Sequence, residues 1–195
     1  KGKKDIKVNE FAGIVSNTTS YHHGEQSLND TIVGLAQDFT GSNNINLLLP
    51  KGQFGSRIGN EKGIGKDSGA PRYIQTNINP LTRLIFNNVD DNLYEYLDDD
   101  GTIIEPRYYV PTIPMVLING ARGIGTGWST EIPLFNPEDV ITNLELYLQG
   151  QPMIEMQPWY RGFRGTITKV SDNTFKICGV YRRVGPTTVE ITELP

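Results

Sequence analysis

Pro106, Pro111 and Pro114 stand within nine residues of one another, and this cluster constrains the chain more than any other feature. A proline inside a helix removes a backbone hydrogen bond and clashes with the preceding turn, so the stretch from Tyr94 to Val116 reads as extended. Asp98-Asp99-Asp100-Gly101 punctuates it, and Thr102-Ile103-Ile104 resumes a strand. Before this block, Leu28, Ile32, Leu35, Ala36 and Phe39 recur at helical spacing and predict a helix over 27–39, with Ser27 and Asp30 as its capping pair. Pro80 can open a second helix, backed by a stripe of Leu81, Leu84 and Ile85. After the block, residues 136–149 carry the clearest helix signals. Asn136 caps, Pro137 fills the first position, Glu138 and Asp139 suit the positive dipole end, and Gly150 stops the helix. Ile141, Leu144 and Leu148 are its expected apolar face. Beyond Gln157, residues 165–168, 174–177 and 188–191 alternate as strands, with Ser171-Asp172-Asn173 as a turn. The expected fold class is α+β, with a helical domain over 1–112 and a β-rich domain over 113–195.

Composition excludes more than it assigns. The chain is 37% hydrophobic and 21% charged, which suits a globular protein. No apolar run approaches the roughly 18 to 20 residues of a membrane helix, so no membrane partner is expected. The start Lys1-Gly2-Lys3-Lys4 has no apolar stretch behind it and is not a secretory signal; lacking Met, it predicts a piece of a longer chain. The lone Cys178 leaves no internal disulfide and fits a reducing compartment. With His22 and His23 it is too little for a closed zinc site, and no metal ligands are assigned. The net charge of −4 argues against a polyanion partner, but the charge is uneven. Lys51, Arg57, Lys62, Lys66, Arg72 and Arg83 against Glu61 and Asp67 leave residues 51–83 at +4, whereas 84–155 stand at −10 and 156–195 at +3. Solvated faces explain such patches; so do local contacts with nucleic acid.

Three patterns imitate known sites. Gly59 to Lys66 looks like a phosphate-binding loop, but the spacing is wrong and Asp67 stands where a hydroxyl must hold magnesium. Gly123-Ile124-Gly125-Thr126-Gly127 imitates a dinucleotide turn, yet Trp128 breaks the spacing and no strong helix follows. The Asp98–Asp100 run has the donors for a divalent ion, but a solvated hairpin turn is the simpler reading.

Other blocks carry more. Tyr21-His22-His23-Gly24-Glu25 precedes the first helix; taken alone it is a helix-entry turn with packed imidazoles. Gly52-Gln53-Phe54-Gly55-Ser56-Arg57 is a glycine-flanked loop ending in a cation, suited to a phosphodiester. Ala70-Pro71-Arg72-Tyr73 sets a guanidinium beside a phenol; viewed singly, such a tyrosine is ordinary core or surface filler.

Taken together with Gly41-Ser42-Asn43-Asn44 and the run Ile118-Asn119-Gly120-Ala121 through Gly123-Ile124-Gly125-Thr126-Gly127-Trp128-Ser129, these blocks resemble the type IIA DNA topoisomerases in order and approximate spacing. The resemblance covers essentially the whole chain, and its YHHGE and GQFG forms look eukaryotic or viral. The loop Gly59–Gly65 is several residues longer than the family's, which bears on local positioning ahead of the tyrosine.

The resemblance implies a winged-helix (helix-turn-helix-like) domain over 1–112 and the start of a β-rich tower domain over 113–195. It implies that Tyr73 attacks a DNA phosphodiester and holds the 5′ end, that Arg72 contacts the scissile phosphate, and that His23 donates to it. His22, Lys51, Gln53 and Arg57 are expected to face DNA, and Ile124 to wedge between base pairs. Gln26 and Asp30 match a drug pocket, where Asp30 replaces a usually apolar residue. A free phenol has a pKa of about 10, so such a nucleophile needs a base, a cation or a metal-bound hydroxide nearby. The implied enzyme is an ATP-dependent homodimer acting on duplex DNA in the nucleus, or in cytoplasm or virion for a viral source. Its Mg2+ and ATP would be bound by domains absent from this chain, leaving the piece inactive alone. The competing readings are a non-catalytic winged-helix DNA-binding module and a β-rich interaction scaffold.

Overall fold

The computed structural model describes residues 4–61 and 63–195; Lys1, Gly2, Lys3 and Lys62, the last counted in the basic stretch, lie outside the described residues. The chain divides into two compact units, Lys1–Pro114 and Met115–Pro195.

The first unit is built on two helices and a small sheet. Helix α1 (Val8–Thr18) lies outside the sequence expectations, although Val8, Phe11, Ala12 and Val15 fall at helical spacing. Helix α2 spans Glu25–Ala36, not 27–39. Its cap is Gly24, without a side-chain bond, so the expected Ser27–Asp30 pair does not form. Glu25 suits the positive end of the dipole and lets the helix start earlier. Ser27 is interior, its carbonyl accepting from Thr31 (2.9 Å), and Asp30 accepts from Gln26 Nε2 (2.7 Å). The helix ends early because Asn43 Nδ2 donates to the carbonyls of Gly34 (2.7 Å) and Gln37 (2.9 Å), meeting acceptors a helix end leaves open. Phe39 therefore lies beyond the helix, and Leu35 is 38% exposed.

Strands β1 (Ile6–Lys7), β2 (Leu48–Lys51) and β3 (Gln75–Ile78) pair antiparallel in the order β1-β3-β2. The core joins Val8 and Ala12 of α1, Leu28, Ile32, Val33 and Ala36 of α2, and two loop residues, Phe54 and Ile74. Each large side chain buried here contributes about 1.5–3 kcal/mol.

Helix α3 (Pro80–Ile85) starts as expected, with Asn79 accepting from Leu81 N–H (3.1 Å). Its stripe is a correction: Ile85 is buried, but Leu81 and Leu84 are 46% and 71% exposed, because so short a helix offers one position to the interior. A 3-10 helix, Asn88–Leu93, follows. Strands β4 (Tyr96–Asp99) and β5 (Thr102–Pro106) form the expected hairpin, closed by Gly101 N–H donating to Asp98 Oδ1 (2.9 Å).

The second unit opens with α4 (Met115–Ile118), which cuts short the extended stretch predicted to Val116. Pro114 restricts the residue before it, not those after it. Antiparallel hairpins follow: β6 (Ala121–Gly125) with β7 (Trp128–Ile132), β8 (Thr166–Ser171) with β9 (Thr174–Cys178), and β10 (Val180–Arg183) with β11 (Val189–Glu193). Strand β10 adds to the expected set. Between the first two hairpins lies α5 (Pro137–Leu148), with Asn136 accepting from Glu138 N–H (3.0 Å). Its apolar face differs from the expected one. Val140 and Asn143 are buried, while Ile141 and Leu148 are 42% and 82% exposed. Helix α5 packs on α4, and Asn143 grips both the N–H (2.6 Å) and the carbonyl (3.0 Å) of Ile154, so neighbours choose the face, not hydrophobicity. The architecture mixes helix and sheet, as α+β requires.

Candidate active site

The residues around Tyr73 are held from both sides. Tyr73 ends a turn and faces out (73% exposed), while Ile74, on the way into β3, is buried in the core (4% exposed). Val8 and Asn9, the first residues of α1, have N–H groups without helical partners; they donate to the carbonyls of Ile74 (3.1 Å) and Pro71 (3.3 Å). Tyr73 N–H itself donates to the Ala70 carbonyl (2.8 Å). The Arg72 guanidinium carbon lies 4.9 Å from the centre of the Tyr73 ring, within cation–π range. The turn thus presents a phenol and a guanidinium together on a fixed base.

The Gly52–Arg57 loop is anchored by Phe54, 3% exposed in the same core. Gln53 is exposed, and its carbonyl accepts from Gly69 N–H (2.8 Å). Gly55 has φ +99, and a Cβ there would stand 2.6 Å from the Gly65 carbonyl, so only glycine fits. Gln37 Nε2 donates to the carbonyls of Phe54 and Gly65, each at 2.8 Å. Ser56 donates from N–H (2.7 Å) and Oγ (2.6 Å) to the Asp67 carboxylate. Those bonds, the hydroxyl's first, hold Asp67 below the usual carboxylate range. The loop that imitated a phosphate cradle is instead a tight turn, with Asn60 and Gly63 exchanging backbone bonds (2.9 and 3.3 Å).

Between α2 and the 65–71 loop runs a cleft of about 280 Å³, lined among others by Gln26, Asp30, Gln37, Lys66, Ser68 and Pro71. Gln26 and Asp30 stand side by side on its α2 wall. The cleft ends at Pro71, one residue before Arg72.

The two histidines part company. His23 packs edge-on against Tyr21, ring centres 5.3 Å apart. His22 Nε2 lies 4.0 Å from Asp99 Oδ2 at the β4–β5 turn. Both imidazoles are exposed. Lys51 is exposed at the end of β2, opposite Gln75, and Arg57 is half-buried and engaged within the fold.

In the second unit, Ile124 sits on β6 opposite Ser129 and is 86% exposed. Thr126 and Gly127 make the connecting turn, with Gly127 at φ +76 supplying the left-handed residue it needs. The glycines that imitated a dinucleotide site are therefore those of a β-hairpin.

Gln37 escapes a reading of the sequence. It follows the last turn of α2, and nothing in the local pattern marks it as the clamp between two distant loops. Among the described residues, no three carboxylate, imidazole or thiol groups are placed to hold a metal ion. None of their helices is long and apolar enough to cross a membrane.

Comparison with known proteins matches the chain over residues 1–195 to the family model for the A subunit of DNA gyrase/topoisomerase IV. DNA topoisomerase 2 of Arabidopsis thaliana is 53% identical over 197 residues, covering 99% of this chain. DNA topoisomerase 2 of Saccharomyces cerevisiae is 50% identical over 193 residues, again covering 99%. The chain spans 13% of the length of each. A crystal structure of the Plasmodium falciparum topoisomerase II DNA-binding, cleavage and re-ligation domain superposes with a TM-score of 0.92 at 46% identity, covering 99% of this chain and 26% of that one. With a family match over every residue and near half identity to eukaryotic relatives, this chain belongs to the type IIA topoisomerases, the family of DNA gyrase, topoisomerase IV and DNA topoisomerase 2.

Proposed function

We propose that this chain is the strand-breaking segment of an ATP-dependent type II topoisomerase, with Tyr73 as nucleophile. One observation carries the reading: a phenol 73% exposed, with a guanidinium over its ring, on a turn pinned to the core at the very next residue. The phenolic oxygen bonds to phosphorus, the bond from phosphorus to the 3′ oxygen breaks, and the 5′ end stays on Tyr73. The phenol's proton passes to a base and the departing 3′ oxygen takes up a proton to become a hydroxyl; on resealing that hydroxyl gives up its proton as it attacks phosphorus, and the Tyr73 oxygen leaves and is reprotonated. The phosphodiester energy is conserved in the phosphotyrosyl link. Arg72 spreads the growing charge on the phosphoryl oxygens, and His23 donates a hydrogen bond to them.

On this reading residues 1–112 form a winged-helix domain and 113–195 the start of a tower domain. Lys51, Gln53, Arg57 and His22 face the duplex, Ile124 enters the base stack, and Gln26 with Asp30 lines a drug-accessible cleft. Mg2+ and ATP would act through parts of the longer relatives that this chain does not span. No step is therefore routed through them, and the segment alone is inactive. The working form is a homodimer on double-stranded DNA in the nucleus.

The test traps full-length protein on supercoiled DNA with Mg2+ by adding denaturant. Protein attached to 5′ ends is expected, with Tyr73→Phe reducing it to background and Arg72→Gln lowering cleavage roughly 100- to 1,000-fold. Salt-sensitive binding without an adduct would favour a non-catalytic DNA-binding module instead.

A further inference from the structure

The β6–β7 ribbon carries a cation that neither the motif nor the comparisons explain. Arg122 is exposed and stands two residues before Ile124 on the same strand, so both project from one face of the ribbon. Opposite them on β7 are Glu131 and Ser129. Arg122 forms no ion pair among the described residues, Glu131 included. Glu131 instead lies near enough to Tyr160 to add to the burial that raises that phenol. Gly123 between them gives β6 no side chain on the other face at that point, and nothing lies within 4 Å of a Cβ placed there.

Two residues of strand span about 6.6–6.8 Å. The minor groove of B-DNA is about 6 Å wide, and phosphates run along its walls. A side chain one strand repeat from another that enters the groove therefore stands at the groove's edge. A guanidinium there can bind two phosphate oxygens at once.

We propose that Arg122 is a DNA-phosphate contact, gripping the backbone at the edge of the groove that Ile124 enters. The inference rests on the wedge reading of Ile124. Arg122 holds register while Ile124 bends, so the two contributions separate: one in salt dependence, the other in DNA geometry.

The experiment measures duplex binding by full-length protein across 50–200 mM salt, alongside DNA bending by end-to-end fluorescence transfer at saturation. Arg122→Gln should make the slope of log K against log salt shallower by about 0.9, so wild type loses roughly threefold more affinity than the variant over that range. The saturated bend should be unchanged, and Arg122→Lys should retain the wild-type slope. A wild-type slope in Arg122→Gln overturns the inference. So does a shallow slope in Arg122→Lys, which would assign the loss to damage of the ribbon. Ile124→Ala tells the two readings apart. A lost bend with an unaltered Arg122→Gln slope leaves the wedge standing and removes the phosphate contact, while an unaltered bend removes the wedge reading itself.

Discussion

In the second unit the buried aliphatic side chains are Ile118 and Val140, with Pro158 also buried; in the first the buried apolar side chains extend from Val8 and Ala12 through the inner face of α2 to Phe54, Ile74 and Ile85. The second unit leaves Ile124, Trp128, Leu148 and Tyr181 largely in solvent. It is held instead by hairpin ladders, by the Asn143 grip on Ile154, and by surface ion pairs of Lys169 with Glu155 and Asp172 and of Arg182 with Glu190. Such surface pairs contribute about 0–1 kcal/mol each. The difference teaches where rigidity is placed. The turn bearing Tyr73 is fastened to the part of the molecule with a close-packed interior, as the chemistry proposed for it would demand. The ribbon bearing Ile124 stands on a scaffold of backbone bonds and keeps its apolar surface free.

The comparison can be broken most directly at Ile74. Ile74→Ala should destabilise the first unit by about 2–5 kcal/mol, read as the denaturation midpoint. The same change at Ile191, 63% exposed in the second unit, should stay within about 0.5 kcal/mol. Equal losses at the two sites would erase the distinction. Asn143→Ala probes the polar side of the contrast. It leaves the Ile154 N–H and carbonyl without their partner and should cost about 1–3 kcal/mol, with faster proteolysis near residues 151–157 and no change at the first unit's transition. The smallest effect is at Asp67. Its carboxyl is held low by Ser56, so the stabilisation it gives is present above the ordinary Asp value near 3.8 and is lost as pH falls through the lower folded value. Amide exchange at Ser56 should quicken only in that acid window, and Asp67→Asn should remove the pH dependence. Quickening already at neutral pH would show that the loop is held by something else.

Local chemistry is readable where a single residue decides. Asn136-Pro137 opens a helix, Pro80 opens another, and Asp98 through Gly101 makes a turn, because caps and turns act within four residues. Reading fails where neighbours decide. The helix expected over 27–39 spans Glu25–Ala36 because an asparagine seven residues beyond its end takes its last carbonyls. The faces of α3 and α5 differ from expectation because an apolar stripe is buried only where another element covers it. Helix α1 goes unmarked although its period is present.

For the candidate site, the order of the blocks is what makes candidates of Tyr73, Arg72, His23 and Ile124. The sequence by itself determined that the phenol of Tyr73 and the apolar Ile74 are neighbours in the chain. Only the tertiary structure decided which of the two is outward, that α1 supplies the N–H groups holding the turn, and that Gln37 locks the Phe54 and Gly65 loops together. The reason is physical: propensity and alternation are properties of neighbours in the chain, whereas burial and hydrogen-bond partners are set by residues tens of positions away.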